Sequence, residues 1–85
     1  MRSIFDGKKN RAYVYLSEFE DADVQRSYTL HEHDVQGWFM FDFDRSGRLL
    51  GFEVRFASGA LPSEFLDAAE RVSSKRFASL TNREV

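Results

Sequence analysis

The stretch DFDRSGRLLGFE, Asp42 to Glu53, places oxygen-bearing side chains at the spacing of a calcium loop. Asp42 stands first, Asp44 third, Ser46 fifth, Gly47 sixth and Glu53 twelfth. A second metal-type pattern lies upstream, where His31 and His33 are two apart and would point the same way on a strand, with Glu32 and Asp34 beside them. Asp42 and Glu53 also suggest acid–base chemistry, because two carboxylates on neighbouring strands share a perturbed titration unless Arg45, Arg48 or Arg55 neutralises them. Which chemistry is available depends on the elements that carry these residues.

A calcium loop of this kind needs a helix entering and a helix leaving. Here the flanks alternate with period two. In WFMFDFD, Trp38 to Asp44, the residues Phe39, Phe41 and Phe43 share one face and Trp38, Met40 and Asp42 the other. In LLGFEVRF, Leu49 to Phe56, Leu50, Phe52, Val54 and Phe56 share a face. Both segments read as strands. Asp42 and Glu53 therefore fall in mid-strand, and Asp44-Arg45-Ser46-Gly47 reads as a hairpin tip on a type I turn, with Gly47 in the left-handed conformation. A weak surface cation at Asp42, Asp44 and the Ser46 hydroxyl is the alternative to a plain turn. For His31 and His33 the missing element is a third ligand, since the chain has no other His and no Cys. The expectation is a surface histidine pair and no cofactor, with His31, His33, Asp42 and Asp44 as the candidate ligands if a metal binds.

No Gly-x-Ser-x-Gly elbow surrounds any Ser, and the five glycines are spread one to a turn with no phosphate loop among them. An enzyme is not expected. With 85 residues the chain forms one small domain, expected over 1–80 with a frayed tail over 81–85. Nine Phe, three Tyr and one Trp supply the large rings that an efficient small core needs. The absence of Cys excludes disulfides and thiolate chemistry. The N-terminus MRSIFDGKKN carries no apolar signal segment, and no long apolar run follows, so a cytoplasmic location is expected. A net charge of -2 gives no general attraction to nucleic acid, and with no long apolar run a membrane is not expected as a partner.

The remaining elements complete an α+β reading: an antiparallel meander of four to five strands with one C-terminal helix packed on the sheet. Met1 to Phe5 reads as a first strand, followed by a turn through Asp6 to Asn10. Ala12 to Ser17 and Val24 to Leu30 alternate as further strands, separated by a loop that holds Glu18, Glu20, Asp21 and Asp23. The spacing of Phe65, Leu66, Ala69 and Val72 predicts a helix that opens with Ser63 as N-cap and ends near Arg76, with Lys75 and Arg76 at its C-terminal end.

Two motifs carry a family resemblance. MRSIFDGKKNRAYVYLSE, with its short strand, loop and AYVYLS strand, resembles the start of the small bacterial proteins grouped as domain of unknown function 2283. FDFDRSGRLLGFEVRFAS is similar to that family's acidic turn and glycine followed by an apolar pair and then by Gly51 and Glu53. The two cover most of Met1 to Ser58; the aromatic run Trp38 to Phe43 is bulkier than the aliphatic strand of such proteins. The resemblance implies a small antiparallel sheet and no catalytic residue, and it implies membership in two-gene pairs of the antitoxin kind.

If the phenylalanine row fills one side of the sheet, then Tyr13, Tyr15, Trp38 and Met40 face the other, with Gly51 as a dip among them. Either the C-terminal helix covers that second face or it is left open as an interface, where Trp, Tyr and Met are enriched. The functional expectation is a non-enzymatic interaction module that forms a homodimer or binds a small protein partner through this face. The alternative is an antitoxin-like or nucleic-acid-associated regulator, with Tyr13, Tyr15 and Trp38 as stacking rings among Arg11, Arg45 and Arg55.

Overall fold

The computed structural model describes residues 1–83. β1 (Arg2–Asp6) and β2 (Arg11–Tyr15) form a hairpin. Its turn ends at Asn10, which takes a left-handed φ of 54°. The Asn10 side chain clasps Ser58, donating to its hydroxyl and accepting from its backbone N–H, both at 2.9 Å. β3 (Arg26–Leu30), β4 (Trp38–Phe43) and β5 (Leu49–Arg55) form an antiparallel meander. β5 then pairs antiparallel with β2, joining hairpin and meander in one sheet of order β3-β4-β5-β2-β1-β6. The last strand, β6 (Glu70–Arg71), runs parallel to β1.

The α+β class stands, and the expected meander of four to five strands is corrected to a six-stranded, mostly antiparallel mixed sheet. The additional strand comes from a segment that reads as helix. Instead of one helix from Ser63 to Arg76, the chain forms α1 (Ala57–Ala60), α2 (Ser63–Ala68), β6 and α3 (Ser74–Thr81). The reason is that the apolar residues serve opposite faces. Leu66 and Ala69 pack with Phe5, Ala12 and Val54, whereas Phe77 packs with Ile4 and Tyr13, and Val72 joins it. One straight helix buries one stripe against one face, so the chain crosses the sheet edge at β6.

Helix chemistry shifts accordingly. Pro62, not Ser63, holds the N-cap position of α2, without a side-chain bond. The capping serine is Ser73, whose Oγ accepts from the Arg76 N–H at 3.1 Å at the start of α3. Lys75 and Arg76 thus stand in the first turn of α3 and not in a last turn, against the helix dipole. Thr81 belongs to α3 and Arg83 is bonded to the sheet, so these parts of the expected tail are held; Glu84 and Val85 lie outside the described residues. No helix among the described residues is long and apolar enough to cross a membrane.

Phe39 and Phe52 reach the cluster of Phe5 and Val54 on the apolar face. Phe56, expected in the same row, is 59% exposed, because the strand ends at Arg55 and Phe56 turns left-handed (φ 61°) to start α1. The hairpin tip between β4 and β5 forms as expected, with Gly47 at φ 83°.

Candidate functional site

On the opposite face, strand alternation gathers Tyr13 from β2, Asp42 from β4, and Gly51 and Glu53 from β5. Tyr13 lies across from Glu53 and Asp42 across from Gly51. A Cβ at Gly51 would stand 2.5 Å from the Val14 carbonyl oxygen and 2.8 Å from Tyr13 Cε1. The bare backbone lets the Tyr13 ring lie over β5 and donate its hydroxyl to Asp42 Oδ2 at 2.6 Å. Ser27, on β3, donates to Asp42 Oδ1 at 2.6 Å.

The remaining partners are cations. Arg83, just past α3, donates from Nη2 to both Asp42 oxygens at 2.5 and 2.6 Å and from Nη1 to Glu53 Oε1 at 3.1 Å. Arg55 Nε donates to Glu53 Oε2 at 3.0 Å. The Arg83 guanidinium also sits 5.5 Å from the centre of the Tyr13 ring. Asp42 and Glu53 are both buried, so two negative charges in low dielectric are balanced by two positive ones. Burial, and then the hydrogen bond and charge of Asp42, push the Tyr13 phenol far above its ordinary value and keep it a proton donor. Burial works against the Arg83 charge, but the two carboxylates outweigh it and raise its affinity for the proton.

All four carboxylate oxygens are engaged within the chain. The cluster therefore ties the end of α3 to β2, β3, β4 and β5, and offers neither a free base nor a free acid. A groove of ≈ 280 Å³ runs beside it, between Tyr15, Phe19, Leu80 and Arg83, and the Asn82 amide closes over it by donating to Asp21 at 2.8 Å. A second buried pair, Arg11 Nε to Asp6 at 3.0 Å, anchors the start of α3: Arg11 stacks 4.3 Å from the Phe77 ring and donates to the Ser74 carbonyl at 3.2 Å.

The structure divides the residues singled out in the sequence. Tyr13 is 2% exposed beneath α3, and Tyr15 is half-buried against Phe19. Trp38 is 39% exposed, with Met40 half-buried on the same face. The C-terminal helix thus covers the tyrosine end of the face and leaves the Trp38 end open. His31 stacks on Trp38 with ring centres 4.3 Å apart. Asp42 is occupied by Tyr13, Ser27 and Arg83, and Asp44 Oδ1 accepts the backbone N–H groups of Ser46 and Arg48, both at 2.9 Å. Among the described residues no three His, Asp or Glu side chains are grouped to hold a metal ion. Of the three arginines suggested for Asp42 and Glu53, Arg55 is a partner of Glu53; the decisive one, Arg83, lies in the segment read as a tail. The demand of two mid-strand carboxylates for more than one cation was the signal that pointed beyond Arg55.

The open end of the sheet has a second feature. All five residues of β3 are exposed, and β3 is the outermost strand, so its outer backbone edge has no strand partner among the described residues. Tyr28 is 56% and Leu30 37% exposed. Compared with known proteins, the chain matches no family model, no curated protein and no solved structure.

Proposed function

We propose that the chain is a non-enzymatic interaction module that self-associates through the open end of its sheet. The contact is the edge strand β3, with Trp38 and Met40 beside it on β4, while Tyr13 and Tyr15 lie on β2, packed with Phe77 and Leu80 of α3. The observation that carries this reading is the bare edge. Natural sheets blunt such edges with Lys, Pro, bulges or a covering segment, because unpaired N–H and C=O groups recruit another strand. RSYTL has no Lys and no Pro, its one charge is at its first residue, and its register with β4 is unbroken from Arg26 to Leu30. The engagement of both buried carboxylates within the chain favours binding over catalysis. The absence of Cys agrees with a cytoplasmic setting, and the family resemblance adds only the small antiparallel sheet.

Size-exclusion chromatography with light scattering at low micromolar concentration tests the reading. The wild type is expected as a dimer, and Tyr28→Lys with Leu30→Lys, which protects the edge as natural sheets do, as a monomer with unchanged circular dichroism. A monomeric wild type, or a dimer indifferent to the two lysines, overturns it.

A further inference from the structure

We infer that the strand completing this edge is β3 of a second copy, antiparallel, with the two-fold axis passing through Thr29. The inference rests on the self-association proposed above and specifies its register. Along a strand, the outward N–H and C=O groups belong to alternate residues. Two identical antiparallel strands related by a two-fold axis bring those groups together only if the axis passes through a residue and not between residues. The candidates within β3 are therefore Arg26 to Leu30, and Arg26 is disfavoured because it would meet its own charge.

The side chains select among them. With Thr29 on the axis, Thr29 meets its own copy, Tyr28 meets Leu30, Ser27 meets His31, and Arg26 meets Glu32. Thr29 against Thr29 and Arg26 against Glu32 are favourable cross-strand combinations, the Arg26–Glu32 pair forms twice, and Tyr28 meets an apolar side chain. Tyr28 and Leu30 lie across β4 from Phe41 and Phe39, so their new contact extends the apolar face of the sheet. His31, one residue past β3, still stacks on Trp38, and Glu32 is the last residue before the turn at His33 and Asp34. An axis at Tyr28 sets Arg26 against Leu30 and Val24 against Glu32. An axis at Leu30 sets Tyr28 against Glu32 and requires Asp34, which lies in the turn closed by the Val35 N–H on the Glu32 carbonyl. An axis at Ser27 sets Val24 against Leu30 and needs Val24 as strand, but the Val24 N–H is bonded to the Asp21 carbonyl in the preceding turn.

The chain has no cysteine of its own, which makes the register directly readable. Opposed residues of an antiparallel pair have Cα atoms roughly 4.5 to 5.5 Å apart, within the span of a disulfide. Under mild oxidation, full-length Thr29→Cys is expected to convert largely to a covalent dimer, whereas Tyr28→Cys and Leu30→Cys, each facing the other residue type, stay largely unlinked. Independently of cysteine, Arg26→Glu and Glu32→Arg should each raise the dimer dissociation constant about tenfold, and the double reversal should restore it. A wild-type dimer in which Tyr28→Cys or Leu30→Cys links in preference to Thr29→Cys, or in which the double reversal rescues nothing, overturns the register and leaves self-association standing. A wild-type monomer overturns both.

Discussion

Arg83 pairs with two buried carboxylates at once, and its removal leaves Asp42 without a cation and Glu53 with Arg55 alone. Breaking a buried pair by deleting one partner costs far more than the pair contributes, because the other charge stays desolvated. Arg83→Ala is therefore expected to lower stability by about 3 kcal/mol in urea denaturation, with part of the loss recovered when Asp42→Asn is added. Indifference to Arg83→Ala would detach α3 from the cluster. Tyr13 gives the same cluster a pH signature. Its folded pKa is raised above the ordinary 10.0, so its contribution is complete below pH 10 and is lost as pH rises towards the folded value. Tyr13→Phe should flatten the alkaline fall in stability; an unchanged alkaline limb would contradict the buried hydrogen bond to Asp42. At the acid end Asp6 behaves oppositely: burial resists its ionisation, but the hydrogen bonds and the Arg11 charge outweigh it and hold its pKa below the ordinary 3.8.

At the scale of elements, the period-two pattern made the strands legible. Phe39, Phe41 and Phe43 alternate with Met40 and Asp42 as the register requires, and Asp44 and Gly47 mark the tip between β4 and β5. The C-terminal half misled for a physical reason. Leu66, Ala69 and Val72 keep helical spacing, but spacing does not say which face of the sheet each residue serves, and here the chain changes faces between Ala69 and Val72. The site was half legible: Asp42 and Glu53 stood out on neighbouring strands, while Arg83 is some thirty residues from Glu53 in sequence and reaches it only because β6 redirects α3. Gly51 carries a prediction at this level. A Cβ there meets backbone on one side and the Tyr13 ring on the other, so Gly51→Ala should cost about 2 kcal/mol and expose Tyr13 to solvent, read by denaturation and tyrosine fluorescence. A neutral Gly51→Ala would mean that Tyr13 does not lie over β5.

The whole molecule is asymmetric. Beyond β5, the β2–β1 end of the sheet is covered on both sides, by α1 and α2 on one face and α3 on the other, and two buried ion pairs pin α3 in place. Among the described residues the β3 end has neither cover. A small domain that secures one end of its sheet and leaves a flat edge at the other exposes the feature most prone to recruit another strand. Amide hydrogen exchange followed as a function of protein concentration tests that claim most directly. Self-association through the edge predicts that the outward-facing, alternate amides within Arg26 to Leu30 become more protected as concentration rises, while those of β1 and β2 do not change. Protection that is independent of concentration at β3, or that appears instead over α3 or around Phe56, would contradict it.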